Sequence, residues 1–341
     1  MGEELISSFA ISGRGLSTKA GRCAYRNIGR AFCVALALIF PAGTADAGLF
    51  GNKMSLEERA TSAGGIHRTV TVDGVDREYV VFGADRAADP APVVFVFHGG
   101  GGSALRIAGR TEFHKRAQRD GAITVYPDKS GSRWNDGRET TADTGDDLAF
   151  VEAMISDLHQ RHGVDRQRLY AMGVSNGGIF MQRLGCARGG MFRALSSIAA
   201  NMAGPLASDC APARPVSFLM INGTADSAVP WRAGELGRPL GIFGAGGHVR
   251  STPDTIRHWQ RNADCAPRPD KMILPDRAPQ DGTRVVRYRW RGCAAGVEVL
   301  LYKIKGGAHG IPGLGSAGWR NPGQDMNAIS VIHEFFSRHG L

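Results

Sequence analysis

At 341 residues, with 43% hydrophobic and 21% charged side chains, the chain holds apolar material for one large core or two small ones. Its 41 Lys and Arg against 32 Asp and Glu give a formal charge of +9. No basic run is interleaved with aromatics, so the excess predicts a basic surface and no nucleic-acid partner.

In chain order, Arg14, Lys19, Arg22, Arg26 and Arg30 precede the apolar run Ala31 to Phe40, and Ala45-Asp46-Ala47 then fits a cleavage site before Gly48. Residues 1–47 therefore read as a signal peptide and 48–341 as a single domain of an exported protein, extracellular or periplasmic. As a helix the apolar run would reach only about 15 Å, half of a hydrocarbon core of roughly 30 Å. An uncleaved anchor is the alternative; after processing no membrane span is expected.

Arg68 to Val72 and Glu78 to Phe82, separated by Asp73-Gly74, predict a β-hairpin. Val93 to Phe97 is an uninterrupted apolar strand of the kind buried on both faces of a parallel sheet. Helices are expected at Leu105 to Arg119, Asp147 to Arg161 and from Gly177, alternating with strands at Ala122 to Tyr126, Arg168 to Met172, Ser196 to Ala199 and Ser217 to Ile221. Thr283 to Trp290 and Val297 to Ile304 read as late strands, and Asp325 to Ser337 as a closing amphipathic helix. Such alternation implies βαβ units: an α/β protein with a mostly parallel central sheet covered by helices on both faces. Ala233 to Val249 reads as a loop, with a Gly-rich stretch from Gly234 to Gly247.

Cys23 and Cys33 would leave with the leader. The remaining Cys186, Cys210, Cys265 and Cys293 lack CxxC spacing and, in an exported chain, read as two disulfides rather than a metal site. Four cysteines allow three connectivities; nearest-neighbour pairing is expected because both spans are compact.

The chemistry concentrates where strands end. Gly173-Val-Ser175-Asn-Gly177-Gly178 follows an apolar strand and opens a helix, as a nucleophile elbow requires. Its glycines relieve clashes that a Cβ would create, and the turn lifts the hydroxyl above the sheet edge. His98-Gly-Gly-Gly-Gly102 after another strand can bring backbone close to a reacting carbonyl, and the N–H groups of Gly100 or Gly101 with that of Asn176 are the candidate oxyanion donors. The same loop, as Gly99-x-Gly101-x-x-Ala104 followed by Asp128, also fits a dinucleotide fingerprint. Export argues against that ligand, and it leaves Ser175, Asp226 and His309 without a role. Asp226, in Asn222-Gly-Thr-Ala-Asp226, is the candidate acid that orients a histidine, although an Asp in such a loop is also a turn former. His309, in Lys305-Gly-Gly-Ala-His309, is the candidate base. Eight of the other histidines lie in polar or helical surroundings, and His98 is tied to the glycine loop. Ser, Asp and His occur in the chain order of α/β-hydrolases.

On these residues, with Tyr126-Pro-Asp128, Arg133-Trp-Asn135, Asp146-Asp147 and Val229-Pro230, the sequence resembles the secreted polyhydroxybutyrate depolymerase and feruloyl esterase family, close to carbohydrate esterase family 1. The resemblance spans Arg68 to His339. It implies the α/β-hydrolase fold and a Ser175–His309–Asp226 triad that needs no metal or cofactor. It also implies Trp134 and His98 beside the substrate, and disulfides at the four cysteines. For Trp134 a loop anchor packed on the core is the equal alternative, and Asp147 reads as a helix cap or ion-pair partner. The expected substrate is an ester, first a 3-hydroxybutyrate oligomer, with a plant-wall feruloyl or acetylxylan ester as the alternative. Gly310 and Ile311 stand where the family often has Thr and Trp, and no Ser/Thr- or Pro-rich linker to a polymer-adsorbing domain occurs in the sequence. The first removes the aromatic that would make the family's usual aryl or polymer-gripping contact, and with the second it favours a soluble oligomer or small ester over crystalline polyester. A prolyl-oligopeptidase-like peptidase shares G-x-S-x-G-G and an Asp followed by Val-Pro, but the propeller such enzymes often carry has no room here. A non-catalytic scaffold would be marked by a missing triad member.

Overall fold

The computed structural model describes residues 54–129, 131, 133–142, 144–236, 246–315 and 321–341. The expected leader, with Cys23, Cys33 and the cleavage site before Gly48, lies outside them, as do residues 237–245. The strands are β1 (Ile66–Val72), β2 (Val75–Phe82), β3 (Val93–Phe97), β4 (Ile123–Pro127), β5 (Leu169–Val174), β6 (Ala194–Ile198), β7 (Ser217–Gly223), β8 (Gly234–Glu235), β9 (His248–Val249), β10 (Asp270–Ile273), β11 (Arg284–Trp290) and β12 (Val299–Lys305). The helices are α1 (Leu56–Ser62), α2 (Ala104–Thr111), α3 (Phe113–Ala117), α4 (Asp147–His162), α5 (Asn176–Arg188), α6 (Leu206–Asp209), α7 (Thr252–Asn262) and α8 (Ala328–Arg338).

One ten-stranded sheet runs in the order β1-β2-β4-β3-β5-β6-β7-β12-β11-β10. Its centre, from β4 to β12, is parallel, and antiparallel strands flank it on both sides. The parallel strands read as continuous apolar runs because helices bury both faces. Val93, Phe95 and Phe97 of β3 face one core with Phe150 and Met154 of α4, Phe180 and Leu184 of α5, and Trp259 of α7. Val94 and Val96 face the other with Ile107 of α2, Phe113 of α3 and Ile332 and Phe336 of α8. This is the expected fold: a mostly parallel α/β sheet with helices on both faces.

Some boundaries differ for local reasons. The helix expected over Leu105 to Arg119 breaks at Glu112, whose φ of 45° ends α2 and starts α3. Ala104, Ile107, Ala108 and Thr111 form one buried stripe at helical spacing, while Phe113 and Ala117 fall out of phase with it. A straight helix would turn His114 and Lys115 inward; the break re-phases the stripe. Helix α7 was not expected. Its signal is the capped start Ser251-Thr-Pro-Asp254, where the Ser251 hydroxyl accepts the Asp254 N–H, with proline in the first turn.

Disulfides join Cys186 to Cys210 and Cys265 to Cys293, the nearest-neighbour connectivity. Among the described residues no helix is long and apolar enough to cross a membrane.

Candidate active site

The elbow forms where β5 passes into α5. Ser175 has φ 56° and ψ −122°, a backbone state that costs a non-glycine residue about 1–3 kcal/mol. Its neighbours hold it there by contact. A Cβ on Gly173 would run into the Gly177 carbonyl, and one on Gly177 would come within 2.5 Å of the His98 carbonyl. Glycine is therefore required at both positions.

Asp226 lies on the loop after β7 and His309 on the loop after β12, neighbouring parallel strands. The two loops are laced together. Thr224 donates its N–H to the Ile304 carbonyl and Ala225 to that of Gly307, while Gly306 donates to the Thr224 hydroxyl. A Cβ on Gly223 would collide with the Gly307 carbonyl, so the strand ends can approach only as glycine. The result is a continuous line. His309 Nε2 lies 3.1 Å from Ser175 Oγ, and Nδ1 lies 2.8 Å from Asp226 Oδ2. The carboxylate can only accept, so Nδ1 carries the proton and Nε2 is left to accept from the serine hydroxyl. The other oxygen of Asp226 accepts the N–H groups of Ala228 and Val229, both at 2.8 Å, which fixes the buried carboxylate.

Over the serine, Gly99 packs so closely that a Cβ would stand 3.3 Å from Ser175 Cβ. A turn closes the loop, with the Gly102 N–H donating to the Gly99 carbonyl at 3.0 Å. A Cβ on Gly100 would meet Asn176 Cβ at 3.9 Å, whereas one on Gly101, at φ 67°, would meet open space. Of the two glycines expected to serve the oxyanion, Gly100 is the one beside Asn176.

The side chain of Asn176 braces this corner. Its Oδ1 accepts the Trp134 N–H at 2.8 Å, and its Nδ2 donates to the Trp134 carbonyl and, at 2.6 Å, to Asp136. Asp136 is fully buried and is gripped by the Arg138 guanidinium and by the Thr141 hydroxyl. Arg138, 1% exposed, sends its remaining nitrogen to the Gly246 carbonyl beside the β8–β9 hairpin. Sequence reasoning missed this pair. Opposite charges two residues apart in a glycine-containing loop ordinarily read as solvated, and nothing local marks them as buried.

Two expected substrate contacts are corrected. Trp134 is fully buried, stacked on Phe180 and edge-on to Phe97, and its indole N–H donates to the His98 carbonyl at 2.8 Å. It is the loop anchor. His98 is 1% exposed beneath the glycine loop, so it touches backbone rather than substrate. Asp147 is an ion-pair partner, 2.6 Å from Arg77 and from the Asn135 N–H. Burial pushes its carboxyl up despite both contacts. Asp128, the candidate ribose acid of the dinucleotide alternative, instead accepts the Ala104 N–H at the start of α2. Among the described residues the one converging trio of potential metal ligands is Cys186, Cys210 and His258, and its two sulfurs are bonded to each other.

No family model matches the chain. It is similar to feruloyl esterase B of Piromyces equi, 30% identical over 248 residues that cover 70% of this chain and 42% of that protein. The chain thus spans less than half the length of that relative. It is similar to feruloyl esterase D of Neurospora crassa, 26% identical over 285 residues, 79% of this chain and 84% of that protein. Among solved structures, an acetyl xylan esterase from Aspergillus awamori superposes with a TM-score of 0.55 at 14% identity, over 80% of this chain and 99% of that one. At that identity the likeness speaks for the fold.

Proposed function

We propose that this chain of α/β-hydrolase fold is an exported serine esterase acting on hydroxycinnamoyl or acetyl esters of the plant cell wall. The observation that carries the reading is the hydrogen-bonded line from Asp226 through His309 to Ser175. His309 takes the hydroxyl proton as Ser175 attacks the ester carbonyl. The N–H groups of Gly100 and Asn176 hold the oxyanion, and Asp226 stabilises the imidazolium. His309 then protonates the leaving alcohol. Water, deprotonated by the same histidine, releases the acid from the acyl-enzyme.

The substrate order differs from that expected of the sequence alone. Plant-wall esters come before 3-hydroxybutyrate oligomers because the similar curated proteins include several feruloyl esterases and an acetylxylan esterase. Export, with residues 48–341 as the catalytic domain, is supported by the two disulfides, which persist in oxidising compartments.

The test is initial rates of the purified protein on methyl ferulate, acetylated xylan, 3-hydroxybutyrate oligomers and a prolyl peptide amide. Turnover of ferulate or acetyl esters well above the other two is expected. Preference for the hydroxybutyrate oligomer would restore the polyester reading, and turnover of the amide alone would make the protein a peptidase.

A further inference from the structure

Buried beneath the glycine loop, His98 has no part in the proton transfers above, yet both its ring nitrogens face oxygen. Nδ1 lies 2.8 Å from the Gly99 carbonyl, and Nε2 lies 3.4 Å from an oxygen of Asp128. A carbonyl cannot donate, so Nδ1 carries a proton and gives it to Gly99. The ring is boxed in. Trp134 packs 4.9 Å away between centroids and ties the His98 carbonyl, and a Cβ on Gly102 would press to 3.0 Å from Nδ1. Asp128 is itself fixed by the N–H groups of Ala104 and Lys129. Burial works to raise its carboxyl, but the attraction of His98 and these N–H groups outweighs it and holds the group below the ordinary Asp range. From the other side Lys129 Nζ donates to the Gly102 carbonyl at 3.2 Å.

A peptide group is planar and trans, so its carbonyl and its N–H point in opposite directions. The carbonyl of Gly99 and the N–H of Gly100 belong to one such group. Whatever captures that carbonyl therefore aims that N–H. Four successive glycines place little intrinsic restraint on the orientation, and the His98 side chain adds a second donor to the Gly102 N–H that already meets the Gly99 carbonyl.

We infer that His98 is a positioning residue of the oxyanion hole: by holding the Gly99 carbonyl it turns the Gly100 N–H toward the reacting carbonyl at Ser175. Asp128 stands 3.4 Å from Nε2, which makes no hydrogen bond among the described residues, so packing holds the ring. The inference rests on the serine-esterase reading and adds to it a residue that never touches substrate.

The isosteres of histidine separate this role from simple packing. Asparagine places an amide nitrogen near the position of Nδ1, glutamine near that of Nε2, and leucine has no donor. For His98→Asn, His98→Gln and His98→Leu, kcat and KM on a short nitrophenyl ester are compared, with thermal unfolding of each variant. Loss of one oxyanion donor typically lowers kcat by about 10²–10³-fold. His98→Asn should retain kcat within about 5-fold, whereas His98→Gln and His98→Leu should lose about 10²-fold, all with KM changed less than about 3-fold. If His98→Leu does not fold, the Asn and Gln variants still decide. Equal kcat in those two, whether high or low, overturns the inference. Ser175→Ala is assayed beside them. Its loss of turnover, with no difference across the His98 series, sinks this inference alone; its retained turnover sinks the serine reading beneath it.

Discussion

Ser175 carries two properties that rarely coincide in a residue placed for packing: a left-handed φ of 56° and a hydroxyl within 3.1 Å of an imidazole nitrogen. Strain at such a position persists only where its surroundings over-determine it, and here Gly99 packs against Ser175 while Gly173 and Gly177, two residues to either side, have no room for a Cβ. Asp226 shows the same over-determination through two backbone donors on the oxygen that does not meet His309. Its expected contribution is orientation and charge together. In Asp226→Asn the amide nitrogen can donate to His309 and stabilise the wrong tautomer, so kcat should fall about 10⁴-fold with little change in substrate binding. Steady-state rates with a structure of the variant check this; a fall below 10-fold would show that the imidazole does not depend on Asp226. That Ser175, Asp226 and His309 would meet was legible because each follows an apolar strand at a glycine-marked turn, in one chain order. For Trp134 the sequence left anchor and substrate contact equal, and for His98 it showed the tie to the glycine loop but not the burial. Their burial comes from Phe180, Phe97 and Asp128, which are distant in sequence, and an aromatic or histidine in a polar loop looks the same whether it faces solvent or core.

At the level of elements, strands were easier to read than helices. The runs at β3, β4, β5 and β7 are buried throughout and mostly apolar, the polar exceptions being Thr124 in β4 and Ser217 and Asn222 in β7. The break at Glu112 was visible in principle as a phase slip between Thr111 and Phe113, but a window that averages hydrophobicity across both helices hides it. Helix α7 escaped notice because its buried set, Thr252, Thr255, Ile256 and Trp259, has helical spacing but only two strongly apolar members. The largest gap is the segment between β4 and α4. There, Trp134, Asp136 and Arg138 link the first residue of α5 to the backbone beside the β8–β9 hairpin. A buried ion pair adds little stability over an apolar pair of similar volume but fixes geometry, and here it ties two loops on the catalytic edge. Such a link is long-range hydrogen bonding, which no local pattern encodes.

For the whole molecule, the line from Asp226 through His309 to Ser175 lies at the carboxyl end of the parallel strands, where the loops after β3, β5, β7 and β12 meet. The opposite side is closed by charge. Glu298 is 7% exposed and lies between Arg289 of β11, at 2.6 Å, and Arg338 of α8, at 2.9 Å, with His339 nearby. Burial alone would raise its carboxyl; the bonds and charges of His339, Arg338 and Arg289 bring it down to about 2. An unfolded Glu titrates near 4.3, so the folded state binds this proton less readily, and the cluster stabilises fully above that value. Its contribution is lost as pH falls through the folded value. Glu298→Gln should therefore lower Tm at neutral pH, and its gap from the parent protein should narrow between about pH 5 and about pH 2. Thermal melts across that range check it, and a constant gap would contradict it. The central claim, that Ser175 is the nucleophile, is tested most directly by treating the protein with a fluorophosphonate ester and mapping the adduct by mass spectrometry. The account predicts one adduct, on Ser175, in step with loss of ester turnover. Inactivation with the adduct on another residue, or full turnover with Ser175 labelled, would contradict it.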